Sequence, residues 1–342
     1  MTSKVRFLSG VQPSGRLHIG NYFGALHQHI ALQEEGEAFY FIANYHAMTS
    51  VQDPELLSQQ TFDVALDYLS LGLDPKKAVF FRQNDVPEVS ELSWILSCIT
   101  GKGLLDRATS YKDKVQRGIS PSMGLYTYPI LMAADILIYR SNVVPVGEDQ
   151  IQHIEMTRDI AQSFNNTYEE IFPLPSFRLD KGAKVPGIDG QKMSKSYGNT
   201  IEIFDEGKSL RKKIMSIITD STSIEEPKDP ETCNVFSLFK LFADEKEQNS
   251  LREQYLAGGL GYGDAKKMLL EQVDNFFAPF RKEREKLKAD KEYVNQILKS
   301  GGEKAREEAQ RTMTSVYKAV CLSFIKSCYK FVLTGEDFGR RL

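Results

Sequence analysis

The chain has 342 residues, 41% of them apolar and 26% charged, a composition that supports a well-buried core in two domains of ordinary size. Its formal net charge of −3 gives no bulk attraction for nucleic acid, and no apolar run reaches the roughly 18 residues that a membrane-spanning helix needs. Residues 1–8 carry no long apolar segment, so a secretory leader is not expected there.

Val5–Leu8 reads as a short buried strand, and Gly10, Pro13 and Gly15 punctuate the turn after it. From Leu17 onward, Ile19, Tyr22, Phe23, Leu26 and Ile30 recur at helical spacing. Strand and helix then alternate. Ala38–Ala43 is predicted as strand, Pro54–Leu71 as helix, Ala78–Arg82 as strand and Glu88–Cys98 as helix. An apolar helix follows at Tyr128–Tyr139, then a strand at Asn142–Val146 and a helix at Asp149–Phe164. This rhythm predicts an α/β fold with a Rossmann-like parallel sheet, whose ligands bind beyond the carboxyl ends of the strands.

After about Ile203 no strand pattern remains. Leu210–Ile218, Val235–Phe242, Ala265–Leu287, Val294–Leu298 and Ala305–Val332 read as helices. Val273, Phe276, Phe277 and Phe280 form one core-facing stripe, and Met313, Val316, Tyr317, Val320 and Phe324 another. The expected division is a sheet unit at 1–203 and an all-helical unit at 204–342. Residues 281–342 carry net charge +6 and the rest −9, which suits either a polyanion-binding end or solvated helix faces. The four cysteines form no Cys-x-x-Cys pair, against a zinc or thioredoxin-like site. Cys321 and Cys328 share a predicted helix face and are expected as core thiols of a reduced, cytoplasmic protein.

Lys192-Met193-Ser194-Lys195-Ser196 is the most informative stretch, with Gly182, Gly187, Gly190 and Gly198 around it. Two cations and two hydroxyls on such a loop can hold an ATP triphosphate and the charge that grows as pyrophosphate leaves. The glycines predict that the loop moves when ATP binds. A lone Lys-x-x-Lys would as readily be a solvated surface. Near the N-terminus, His18 and Asn21 lie one turn apart at a predicted helix start, where free N–H groups suit an anion. Gly20 allows close approach of a nucleotide, and Gln12, Pro13 and Ser14 precede the helix in the same region.

The helix after Pro129 is apolar all round except for Asp135. A carboxylate there is either a buried ion pair or cap, or an acceptor for a polar hydrogen on an otherwise apolar ligand. Met132 shares its face.

The two signatures together resemble the HIGH and KMSKS motifs of class I aminoacyl-tRNA synthetases. Tyr128-Pro129 before Met132-Ala133-Ala134-Asp135, and Val144-Pro145-Val146-Gly147-Glu148-Asp149-Gln150 before His153, are similar to the bacterial tryptophanyl-tRNA synthetase family. The resemblance implies that Lys192, Ser194 and Lys195, with Gln12, His18 and Asn21, act on the phosphates. It implies that Gly147, Glu148 and Asp149 meet the ribose, Val185 and Met193 the adenine, and Ser196 the same nucleotide. Asp135 would accept the indole N–H, with Met132, Val144 and Val146 as pocket walls. Tyr128, Gln150 and His46 would lie at the amino and carboxylate end of L-tryptophan. Mg²⁺ normally shares the charge of a polyphosphate, and no dedicated metal site is expected. The implied partner is tRNA(Trp), its anticodon read by 204–342, and the implied assembly is a homodimer joined through Glu88–Tyr126. A tyrosyl-tRNA synthetase is the alternative of the same fold, since a phenol also offers a hydrogen to a carboxylate. Two positions depart from the family pattern: Asn44 stands where Asp is frequent, and Leu8 where an aromatic residue is frequent.

Overall fold

The computed structural model describes residues 5–108, 111, 116, 118, 121–179, 182 and 184–322. Five strands form one sheet: β1 (Arg6–Val11), β2 (Glu37–Ile42), β3 (Ala78–Arg82), β4 (Val143–Val146) and β5 (Ser176–Leu179). They pair in the order β3-β2-β1-β4-β5, all parallel. β1 and β2 run in register from Arg6 opposite Glu37 to Val11 opposite Ile42. β1 and β4 are paired in register at Phe7 and Val143, near their amino ends, and the ladder does not extend to their carboxyl halves. The winding direction reverses between them, and that switch point is where open α/β sheets hold ligands.

The connections are helical. A stretch over 19–31, called α1, follows β1 and contains a π-helical turn at Tyr22–Leu26. Next come α2 (Asn44–Ala47), α3 (Pro54–Ser70), α4 (Glu88–Ser97), α5 (Lys102–Asp106), α6 (Met123–Ile138) and α7 (Ile151–Thr167). α3 starts because Asp53 caps the N–H groups of Glu55 and Leu56 and Pro54 presets the first helical turn. After the sheet come α8 (Gly207–Met215), α9 (Asn234–Phe239), α10 (Glu245–Ala257), α11 (Tyr262–Ala289) and α12 (Lys291–Ala319).

Two apolar clusters sandwich the sheet. One joins Ile19, Tyr40, Ile42 and Phe80 to Phe236, Leu251, Phe277 and Leu298 of the C-terminal helices. The other joins Leu8, Phe39 and Phe81 to α4, α6, α7 and the Ala305–Val316 part of α12. The C-terminal helices therefore share both cores with the sheet. α12 runs along the open edge of β3, and a β-carbon built at Gly301 would strike the Phe80 carbonyl oxygen. Covering an edge strand this way blocks pairing with other chains.

Five points differ from the sequence expectations. Val294–Leu298 and the helix from Ala305 are one helix, because Gly301 and Gly302 serve close approach to β3 instead of breaking it. That helix stops at Ala319, so the part of the predicted Ala305–Val332 helix beyond residue 322, with Cys328, lies outside the described residues. Cys321 follows the helix end with φ +57 and is exposed, not a core thiol. β5 was not expected, because it is only four residues long and all four of its side chains are exposed. α10 was also not expected. It buries only Leu251 and Tyr255, although the Asp244–Glu247 capping box that starts it is legible in the sequence.

Candidate active site

The first motif lies where β1 gives way to α1. His18 is the N-cap: its Nδ1 accepts the Asn21 N–H at 3.3 Å, and Asn21 Oδ1 accepts the His18 N–H at 3.1 Å. The cap fixes the tautomer, since an accepting Nδ1 leaves the proton on Nε2 as a donor. Burial, with a lesser contribution from the Lys195 charge, pushes the His18 pKa down to about 4. The ring is therefore a neutral donor at pH 7. Gln12 and Ser14 are exposed just before it, and Pro13 is buried.

The lysine loop is tied to this motif. Lys195 Nζ donates to the Ser14 carbonyl at 2.9 Å, and the Gly20 N–H lies 3.4 Å from Met193 Sδ. A short antiparallel strap follows the loop: Ile19 N–H donates to Ile201 O at 2.9 Å and Ile203 N–H to Leu17 O at 3.1 Å, with His18 opposite Glu202. Asn199 shapes the loop from inside. Its Oδ1 accepts the Ser194 N–H at 2.8 Å, and its Nδ2 donates to Asp189 Oδ1 at 2.7 Å and to Lys192 O at 3.2 Å. A side chain at Gly187 would occupy the Asn199 amide. Val185 and Met193 are buried and joined through Met193 N–H to Val185 O at 2.9 Å. Lys192, Lys195 and Ser196 keep solvent contact, and partial desolvation holds the Lys195 ammonium pKa below its usual value. The Ser194 and Ser196 hydroxyls lie 2.8 Å apart. Gly147, Glu148 and Asp149 form the turn at the carboxyl end of β4, with both acids exposed. The lysine loop, its hydroxyls and the N–H groups at the start of α1 are thus held together, a donor set suited to a triphosphate.

The amino-acid residues cluster at the same end of the sheet. Asp135 is buried on α6, and its Oδ2 accepts from His46 Nε2 of α2 at 2.8 Å. Burial raises the Asp135 pKa, and the His46 and Gln83 hydrogen bonds oppose that rise. Tyr128 OH bonds His153 Nε2 at 2.8 Å and its ring meets His46 edge-on. Leu8, Val144 and Val146 are buried in the apolar cluster of this face, with Met132 half-buried against it. Gln150 Nε2 donates to Asp149 Oδ2 at 3.0 Å, so it turns toward the acidic turn after β4. A cavity of about 200 Å³ lies beside His46 and Tyr128 and is also lined by Ser90, Ser93 and Thr127. Two larger open depressions lie elsewhere, around Arg6 and Glu308 and along α10.

Two residues with structural control over the site were not singled out from the sequence, Asn199 and Gln83. Gln83 is buried directly after β3, where the strand-end rule already pointed, but a lone glutamine carries no motif. Asn44 exchanges hydrogen bonds with Asn84, a contact that accounts for an amide at that position. Among the described residues, no group of three or more His, Cys, Asp or Glu could hold a metal ion.

The family model described as tRNA synthetases class I (W and Y) matches residues 1–278. A tryptophan–tRNA ligase of Fusobacterium nucleatum is 54% identical over 303 residues, covering 88% of this chain and 93% of its own. One of Rhodopirellula baltica is 53% identical over 306 residues, covering 89% and 96%. Among solved structures, the tryptophanyl-tRNA synthetase of Campylobacter jejuni complexed with ADP and tryptophan superposes with TM-score 0.91 at 53% identity, covering 93% of this chain and all of that one.

Proposed function

The chain belongs to the class I tRNA synthetases for tryptophan and tyrosine, on its bacterial tryptophan branch, and from that premise we propose how its site works. It is an ATP-dependent tryptophan–tRNA ligase: L-tryptophan attacks the α-phosphate of ATP, pyrophosphate leaves, and the tryptophanyl group passes from the adenylate to tRNA(Trp). The tyrosine alternative is not favoured, because relatives at 53–54% identity are tryptophan ligases. The observation that supports the site reading is the pairing, at one end of the sheet, of a lysine loop tied to the His18–Asn21 segment with a buried carboxylate in an apolar wall.

In this reading no side chain forms a covalent intermediate, and catalysis is positioning plus charge stabilisation. Lys192, Ser194 and Lys195 neutralise the leaving pyrophosphate, the neutral His18 Nε2–H and the Asn21 amide donate to phosphate oxygens, and Gln12 completes that edge. Pro13, Ser14, Gly20 and Ser196 border the nucleotide. Gly147, Glu148 and Asp149 receive the ribose, and Val185 and Met193 pack on the adenine side. Lys192, Lys195 and the Asn21 amide face the phosphates, and Mg²⁺ bound with ATP would supply further charge neutralisation there. Asp135 accepts the indole N–H between Met132, Val144 and Val146, His46 supports that carboxylate from the side, and Tyr128 and Gln150 hold the polar end.

Residues 1–203 form the activation unit and 204–342 read the anticodon. The net charge of +6 over 281–342 supports a polyanion there. A homodimer through Glu88–Tyr126 is supported by two exposed apolar side chains in that span, Trp94 and Met123. No helix among the described residues is long and apolar enough to cross a membrane, and a cytoplasmic location follows from the reaction proposed.

Tryptophan-dependent ATP–pyrophosphate exchange tests the reading, with tyrosine run in parallel. Exchange is expected with tryptophan alone, and Asp135→Ala should lower kcat/KM for tryptophan by roughly 100-fold or more, as for other sites that hydrogen-bond their substrate. Exchange with tyrosine, or an Asp135→Ala enzyme as active as the parent, would overturn the pocket assignment.

A further inference from the structure

Asp135 does not stand alone in its wall. Gln83 Nε2 lies 2.8 Å from Asp135 Oδ1 and 2.9 Å from Oδ2, and His46 Nε2 lies 2.8 Å from Oδ2. Gln83 is 1% exposed and Asp135 also 1%, so neither group has water as a substitute partner. On the far side of the amide, Gln83 Oε1 accepts the Tyr45 N–H at 3.0 Å. Those partners fix the amide orientation chemically. The Tyr45 N–H can only donate and an ionised carboxylate can only accept, so the oxygen must face α2 and the NH₂ must face Asp135. A flipped amide would leave both ends unpaired and buried, which costs about 1–3 kcal/mol for each.

The consequence is a carboxylate whose plane is set from outside the pocket. Oδ2 is occupied by His46 and Gln83, whereas among the described residues Oδ1 accepts from Gln83 alone. A carboxylate oxygen has two accepting sites, so Oδ1 retains one. We propose that Gln83 is a positioning residue for amino-acid selection: anchored by the Tyr45 N–H, it holds Asp135 so that Oδ1 offers its remaining accepting site to the indole N–H. This rests on the reading of Asp135 as the indole acceptor. It also gives α2 a part in specificity, since that one short helix supplies both His46 and the N–H that locks Gln83.

The test compares tryptophan with 3-(benzothiophen-3-yl)alanine, which keeps the shape of the indole and replaces its N–H by sulfur. Pyrophosphate exchange is measured for the parent enzyme, Gln83→Met and Gln83→Glu. Methionine keeps the volume and removes both hydrogen-bonding ends, and glutamate keeps the acceptor toward Tyr45 but sets a second carboxyl against Asp135. The expected result is that the preference for tryptophan over the sulfur analogue, as a ratio of kcat/KM, falls about tenfold in Gln83→Met and further in Gln83→Glu. KM for tryptophan should rise while KM for ATP stays within about twofold of the parent. Variants that keep the parent's ratio overturn the proposal and leave Asp135 untouched. Variants that lose both amino acids equally, or that unfold, reduce Gln83 to a structural partner and also overturn it. A parent enzyme that does not distinguish the two amino acids removes the Asp135 reading itself.

Discussion

His18 caps its helix through Nδ1, and an accepting Nδ1 requires a neutral ring; Nε2–H is left as the donor that the proposed function turns toward phosphate. Neutrality has a cost in acid. An unfolded histidine gains its proton near pH 6.5, while His18 in the fold resists protonation down to about 4. Between those values the unfolded chain binds more protons, so stability falls as the pH falls, by at most about 3 kcal/mol from this group. Thermal unfolding between pH 7 and pH 4 should therefore show a shallower decline in His18→Gln than in the parent. Equal slopes would mean that His18 is not the group responsible. At this scale the lysine loop and the first motif were legible as distinctive residue sets, and the fold brings the two together through Lys195 and the Ser14 carbonyl. Gln83 and Asn199 were not legible, because their role depends on partners 52 and 5 residues away that only the fold brings into range.

The helices and strands divide by how much of their face is buried. β2 and β3 bury most of their residues, β1 and α3 about half, and all four were visible as apolar runs or stripes. β5 and α10 show almost nothing to the core, and periodicity is silent on such elements. α12 is a third kind, visible as helix but not as one continuous helix, because Gly301–Gly302 resembles a break. Its position on β3 predicts a contrast between two glycines. Gly301 faces the Phe80 backbone, and a methyl there must push the helix off the sheet edge. Gly263, in the first turn of α11, has nothing within 4 Å of the place a methyl would take. Gly301→Ala should destabilise by about 2–3 kcal/mol, as overpacking does, while Gly263→Ala should stabilise by about 0.5–1 kcal/mol. Urea unfolding midpoints would separate the two, and a Gly301→Ala protein as stable as the parent would mean that α12 does not bear on β3 as described.

At the scale of the whole molecule, the shared cores make removal of the C-terminal helices a poor probe of tRNA recognition, since truncation would strip both faces and one edge of the sheet. The surface itself offers a cleaner question. Trp94 and Met123 are each 72% exposed, and they adjoin Ser93 and Gly124, which line the cavity beside His46 and Tyr128. Leaving an indole that exposed forgoes one of the largest apolar burials a side chain can supply, and aromatic side chains of this kind anchor interfaces. If this face joins two copies, Trp94→Glu would bury an unpaired charge at the contact, and dissociation should become roughly 100-fold or more easier. Sedimentation of the parent should then give a dimer and that of the variant a monomer at the same concentration. Trp94 is the chain's single tryptophan, so its emission reports this face alone, moving to longer wavelength as the parent is diluted through dissociation. Because the cavity wall next to His46 belongs to the same face, the monomeric variant should also lose tryptophan affinity before it loses ATP affinity. A Trp94→Glu protein that sediments like the parent would release this surface from the dimer and leave the activation site complete within one chain.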